Sequence, residues 1–262
     1  DRLFQNSPTQ MYDMAITGGN ADTRYSLSGS IFNQKGIIIN TGSKRRQARI
    51  SLDHSLSNKL RVGVTANYAS TETYGAQAAT LAGGATTNSN SIFYPAFGYR
   101  PISGREDIDL TRDDLDDQTD PNNPNEVRVN PVKQAKNTYL VSGIRSLNAN
   151  SFLSYNINPY LVLRVTGNTS TVNRDVESFF SSKTPRGLKI PQNQNGVQAT
   201  VMNYNTEMWS NENTLAYNRT FKKVHKVNGL LGFSSQKSKS KNYGLSVKNI
   251  PNENLGMSGL DE

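Results

Sequence analysis

Ala15-Ile16-Thr17-Gly18-Gly19-Asn20-Ala21-Asp22-Thr23-Arg24-Tyr25-Ser26-Leu27-Ser28-Gly29 is the stretch whose reading decides the fold. Apolar and polar residues alternate on both sides of a Gly-Gly-Asn-Ala-Asp turn. That pattern predicts a strand, a tight turn and a second strand. The second strand keeps alternating through Ile31-Phe32-Asn33-Gln34, longer than the usual five or six residues. One of its faces is weakly apolar and the other plainly polar.

The whole chain shares this character. Of its 262 residues only 34% are hydrophobic, and the mean hydropathy is −0.64, lower than a soluble domain with a buried core usually needs. Charge is modest and apolar residues recur in regular patterns, which argues against disorder. There is no cysteine, so a disulfide framework and a thiolate metal site are both excluded. No apolar run reaches the ~18 residues of a membrane helix, and no signal peptide is expected within this stretch. The termini, Asp1-Arg2-Leu3 and Leu260-Asp261-Glu262, read as cut, so an interior piece of a larger protein is expected. The net charge of +8 lies in short clusters rather than one stripe, and no nucleic-acid-binding module frames it.

Eight segments alternate with period two: residues 9–17, 23–34, 45–57, 60–71, 144–157, 160–172, 205–218 and 225–235. Successive side chains of a strand point to opposite faces, so this alternation predicts strands. In the second, Tyr25, Leu27, Gly29 and Ile31 oppose Arg24, Ser26, Ser28 and Ser30. In the third and fourth, Ile50, Leu52, Val62 and Val64 oppose Arg49, Asp53, Arg61 and Asn67. In the fifth and sixth, Leu147, Leu153 and Leu163 oppose Asn148, Asn150, Arg164 and Asn168. Phe152 interrupts the polar face of the fifth, and Glu207, Asn211 and Asn213 share a face with Trp209 in the seventh.

The connections alternate too. Those at 18–22, 57–59, 158–159 and 219–224 are short. Those at 35–44, 72–143 and 173–203 are long. Short turns on one side and long loops on the other are the pattern of outer-membrane β-barrels; a soluble sandwich has no reason to sort loop length by parity. A barrel strand needs ~9–11 residues to cross a tilted bilayer, with one face on lipid and the other on a wet lumen. The expected fold is therefore all-β, an antiparallel transmembrane β-barrel, with residues 1–262 forming part of it and 72–143 and 173–203 forming extracellular loops.

Specific residues also resemble a known family. Gly18-Gly19-Asn20, Tyr25-x-x-Ser28, Phe32-Asn33-Gln34-Lys35-Gly36-Ile37-Ile38, Arg46-x-x-Arg49-x-Ser51-x-Asp53 and Leu60-x-Val62-Gly63 follow one another as in the barrel of the SusC/RagA-like TonB-dependent transporters of Bacteroidetes-type bacteria. Asn130-Pro131, Trp209-x-Asn211-Glu212-Asn213-x-Leu215-x-Tyr217-Asn218, Val227-Asn228-x-Leu230-x-Gly232-Phe233 and Ile250-Pro251-Asn252-Glu253-Asn254-Leu255-Gly256 extend the likeness across nearly the whole chain. The resemblance implies a 22-stranded, plugged barrel, of which about eight strands lie here. It also implies TonB-driven import of a large nutrient, an oligosaccharide or peptide, with a SusD-like lipoprotein as lid. The energy-coupling motif and plug would precede Asp1.

Candidate lumen residues, on strand parity, are Arg24, Ser26, Arg49, Asp53, Arg61, Asn67, Asn148, Asn150, Arg164 and Asn168. A one-residue slip in register would invert this set. In the longest loop, Phe93, Tyr94, Phe97 and Tyr99 are candidates for stacking on sugar or peptide, or for packing the loop on the barrel rim. Asp107, Asp109, Asp113, Asp114, Asp116, Asp117 and Asp120 offer hard ligands for Ca²⁺, but the EF-hand spacing is missing, and a solvated acidic loop is the simpler reading. Lys44, Arg45, Arg46, Lys237, Lys239 and Lys241 could meet the phosphates of lipopolysaccharide or serve as solubilising charge. Tyr25, Tyr68, Tyr155, Tyr160, Trp209 and Tyr217 are candidates for an aromatic girdle. His54 and His225 stand alone, and no nucleophile or P-loop spacing occurs; no enzyme activity and no cofactor are expected. The alternative is a soluble all-β extracellular module that binds glycan or protein.

Overall fold

Four turns set the strands. At the first, the Asn20 side chain accepts from the Asp22 and Thr23 backbone N–H groups at 2.9 and 2.7 Å, an Asx arrangement that closes the chain on itself. Gly19 beside it has φ 151°, and a Cβ there would overlap the Thr23 carbonyl. At the second, the Ser57 hydroxyl accepts from the Lys59 and Leu60 N–H groups. At the third, the Asn158 side chain accepts from the Tyr160 N–H at 2.9 Å. The fourth places Lys222 and Lys223 at φ 50° and 61°, with the Val224 N–H donating to the Phe221 carbonyl at 3.1 Å.

A computed structural model describes residues 3–76, 92, 96, 118–120, 123–190 and 193–260. Its strands are β1 (Thr9–Gly19), β2 (Thr23–Lys35), β3 (Gly42–Ser55), β4 (Leu60–Tyr74), β5 (Gln118–Asp120), β6 (Asn123–Arg128), β7 (Thr138–Asn158), β8 (Leu161–Phe180), β9 (Gln198–Phe221) and β10 (His225–Lys248). A helix, α1 (Pro131–Asn137), leads into β7, and 3₁₀ turns span Glu253–Leu260. β1-β2-β3-β4-β7-β8-β9-β10 form one eight-stranded antiparallel sheet in that order, and β5-β6 pair separately. Every strand of the large sheet lies beside its neighbour in this up-and-down order.

The sheet is all antiparallel, as the alternation predicts, but the outer strand ends differ from expectation. β7 begins at Thr138 rather than near 144, β8 runs on to Phe180, β9 starts at Gln198, and the polar stretch beyond 235, where the eighth segment was expected to end, is the outer half of β10. The two long connections shrink accordingly to 75–137 and 181–197, instead of 72–143 and 173–203. The reason is physical. Beyond the apolar belt both faces are polar, so the period-two signal fades, while backbone pairing continues because each N–H and C=O still needs a partner.

The register steps along the sheet. The row of paired residues that starts at Gly19 and Arg24 passes through Asp53, Gly63, Phe152, Thr166 and Glu212 to Ser234. The last turn, however, closes at Phe221 and His225. Turn ends that climb across the rows mean tilted strands, which barrel closure requires.

The sheet is one layer thick and has no core of its own. Ile16, Leu27, Ile50, Leu52, Val64, Leu147, Leu153, Leu231 and Phe233 are all at least 40% exposed. Pairing puts them on one face: Ile16–Leu27–Ile50–Ala66–Ala149 form one row, and His54–Val62–Leu153–Val165 form another. A patch this extensive marks contact with an apolar phase or partner. Among the described residues two small clusters are buried, both at the long-loop end. Leu3, Ile38, Ala76, Ile92 and Ala135 make the first. Phe179, Ala199 and Ile250 make the second. There the Glu253 carboxylate accepts from the Ser182 N–H and hydroxyl at 2.7 and 2.8 Å. No described helix is long and apolar enough to cross a membrane, which says nothing of strands.

Candidate functional site

The face opposite the apolar belt is polar because period two makes it so. Rows of direct partners collect the hydrophilic side chains. Ser26, Ser51, Thr65, Asn150, Asn168 and Ser210 form one row; Arg49, Asn67, Asn148 and Ser170 form the next. Asn150 donates to Asn168, which donates to the Ser210 hydroxyl at 3.1 Å. The Ser170 hydroxyl donates to Asn148 at 2.7 Å, and Gln47 donates to Asn67 at 3.0 Å. A concavity of about 380 Å³ opens among Gln47, Arg49, Asn67, Asn148, Asn150 and Asn168. Its lining is rich in amides and hydroxyls that can donate and accept.

Toward the short turns the same face carries charge and one ring. Arg61 grips Asp53 with two parallel hydrogen bonds of 2.7 and 2.6 Å, the fork geometry that suits guanidinium and carboxylate. Arg24 is paired across from Asp53. Phe152, the residue that interrupts the polar alternation, lies under the Arg164 guanidinium at 4.1 Å. Its place is opposite Gly63, where any Cβ would overlap the ring.

All ten candidate lumen residues thus share one face of the sheet. Arg24, Asp53, Arg61 and Arg164 gather near its turn end, and Arg49, Asn67, Asn148, Asn150 and Asn168 gather in its middle. Sequence reasoning did not single out Ser170 and Ser210, which complete the amide ladder, or Gln47; their pairing with Asn148, Asn168 and Asn67 was the missing signal. Phe93, Tyr94, Phe97 and Tyr99 lie outside the described residues, as do Asp107, Asp109, Asp113, Asp114, Asp116, Asp117 and the side chain of Asp120. Among the described residues no group of three His, Asp or Glu could hold a metal ion.

The apolar face has features of its own. Tyr25, Tyr155 and Tyr217 lie near the short turns, and Tyr68 and Trp209 lie further out, with Leu27, Ile50 and Val64 between. Tyr160, in the third turn, is covered by the Arg219 guanidinium at 4.7 Å. Asn213 donates to Asn211, which donates to the Thr166 carbonyl at 3.2 Å, so these two amides satisfy each other on an apolar face. The His54 ring hydrogen-bonds the Thr23 hydroxyl across the strands at 2.7 Å. Beyond the belt, Lys44 pairs with Glu72 at 3.5 Å and Arg145 with Asp175. Arg45 points to the polar face, away from Lys44 and Arg46, where it donates to Gln47.

No family model matches the chain. It is 26% identical to TonB-dependent receptor P26 of Formosa agariphila over 267 residues, which is 99% of this chain and 24% of that protein. TonB-dependent receptor P3 of the same organism is also 26% identical, across 90% of the chain. The chain therefore spans about a quarter of the length of these relatives. Among solved structures, the RagAB peptide transporter superposes with a TM-score of 0.73 at 19% identity, covering 98% of this chain and 27% of that one. BauA, the ferric preacinetobactin receptor of Acinetobacter baumannii, gives 0.53 at 11% identity. Along almost its whole length, therefore, the chain is similar in sequence to a segment of TonB-dependent receptors, and its fold matches a segment of the RagAB peptide transporter.

Proposed function

We propose that the protein carrying this segment imports a large nutrient, an oligosaccharide or a peptide, across the outer membrane of a Gram-negative bacterium. The inner-membrane TonB complex would drive import, and a SusD-like surface lipoprotein would close the outer mouth. The carrying observation is the two-faced single-layer sheet: an exposed apolar belt on one side, and on the other a hydrogen-bonded ladder through Asn148, Asn150 and Asn168. The receptor relatives and the RagAB likeness support the same reading.

The mechanism is binding and gated passage without covalent chemistry. Lumen amides and hydroxyls exchange hydrogen bonds with a wet solute at little net cost, because each broken bond is replaced by one to water. Arg24, Arg49, Asp53, Arg61 and Arg164 would line the passage beside the plug supplied by the rest of the protein. Tyr and Trp side chains at the belt margins would anchor it in lipid, and Arg46, Lys237, Lys239 and Lys241 would meet lipopolysaccharide phosphates. The loop rings Phe93, Tyr94, Phe97 and Tyr99 would contact the solute outside.

The test is cell fractionation with uptake. The parent protein should partition with the outer membrane, need detergent for solubility, and support oligosaccharide or peptide uptake only while TonB is present. A protein that stays soluble and β-rich without detergent would instead be an extracellular binding module.

A further inference from the structure

Where the polar face reaches the long-loop end, a second cavity of about 250 Å³ opens among Thr138, Leu140, Ser178, Phe180, Arg186 and Thr200. The strand residues among these share the parity of Asn148, Asn168 and Ser210, so the cavity looks into the same space, further out. Arg186 is half-buried, with its guanidinium 4.6 Å from the Phe180 ring. Among the described residues no carboxylate pairs with it. Glu177 is engaged by the Tyr139 hydroxyl on the other face of the sheet, and Glu253 by Ser182. Burial draws the Arg186 pKa below the usual guanidinium value, yet the group stays charged at any physiological pH.

The loop holds this cation in place. Asn193 and Gln198 side chains both donate to the Arg186 carbonyl at 2.8 Å. The buried Thr184 hydroxyl donates to the Ser181 carbonyl at 2.8 Å and accepts from the Gly187 N–H at 3.1 Å. Gly187 lies so close to the Phe180 and Ser181 carbonyls that a side chain would not fit. A charge that has lost part of its water and has no counter-ion among the described residues is costly by itself. A fixed fork of donors above an aromatic floor, flanked by the Ser178 and Thr200 hydroxyls, is suited to a planar oxyanion.

We propose that Arg186, with Phe180 as its floor, recognises a carboxylate of the incoming solute at the outer rim. This rests on the import reading and sharpens it: the solute carries carboxylates, as an acidic peptide or as a uronic-acid glycan. The full-length transporter, purified in detergent, is titrated with an acidic tripeptide and with trigalacturonate. Each is compared with its methyl ester. Wild type should bind at least one free acid ten-fold or more above its ester. Arg186→Gln should remove that preference while leaving ester binding unchanged, and Arg186→Lys should retain part of it. The preferred acid identifies the source. A wild type that does not distinguish acid from ester, or an Arg186→Gln variant that still does, overturns the proposal and leaves Arg186 a packing residue. TonB-dependent uptake is scored separately in cells, so a site that binds acids in a protein that does not import them would refute the import reading alone.

Discussion

Gly63 and Phe152 are direct cross-strand partners, and the ring occupies the space that a side chain on Gly63 would need. Arg164 covers the ring from the next row at 4.1 Å. An aromatic residue on a polar face is thus explained by the absence of a side chain opposite it. Gly63→Val should force the ring aside and cost about 1–3 kcal/mol, the usual effect of overpacking. Phe152→Ala in the same protein should relieve most of that loss. Heat-dependent gel mobility of the folded barrel would read both changes.

Ile50 and Ser51 are adjacent in β3 and face opposite ways. Ile50 sits in the exposed apolar row, while the Ser51 hydroxyl meets Thr65 at 3.2 Å. Ile50→Arg should destabilise the parent barrel by roughly 2–4 kcal/mol if it lies near the bilayer midplane. Ser51→Arg should be tolerated, because its side chain enters the wet face. Denaturant midpoints of the refolded barrel in lipid would compare the two. Equal losses would mean that the face assignment is wrong.

These two residues also show why the faces were legible in sequence. Period two is imposed by the backbone, so one correct register fixes every residue on a strand, and Arg24 through Asn168 fell together. The outer strand ends were not legible. Lys237, Ser238, Lys239, Ser240, Lys241 and Asn242 are polar on both faces, so β10 continues with no alternation to announce it. Phe152 looked like an irregularity, because its reason sits on β4. Arg186 was silent for another reason: in a polar loop an arginine has no periodic signature, and only the fold brings it above Phe180.

The Lys222-Lys223 turn carries local strain that can be relieved. Both residues adopt positive φ, a conformation that costs most L-residues roughly 1–2 kcal/mol. In a turn closed by the Val224 N–H on the Phe221 carbonyl, two central residues at positive φ favour Asn-Gly. Replacing Lys222-Lys223 with Asn-Gly should therefore stabilise the β9–β10 hairpin by about 1 kcal/mol without changing the faces of either strand. Unfolding of the parent barrel in urea measures the gain. No change would indicate that the turn relaxes to another shape.

Asn130 governs how the longest connection re-enters the sheet. It is buried, and its side chain accepts from the Val132 and Lys133 N–H groups at 2.9 and 3.4 Å, with Pro131 opening α1 behind it. This cap sets the helix that delivers Val132 and Ala135 to the cluster of Leu3, Ile38, Ala76 and Ile92. Loss of such a cap typically costs about 1 kcal/mol. In a seven-residue helix that loss is enough to loosen the whole approach to β7. Asn130→Ala should make the outer side of the intact parent protein more sensitive to protease added to whole cells, and Asn130→Asp, which keeps an accepting oxygen, should largely preserve resistance. The barrel itself should melt at nearly the same point in all three proteins, because β7 and β8 pair along their full lengths without help from the helix. A barrel that melts early in Asn130→Ala would mean that the loop cluster supports the strands rather than resting on them.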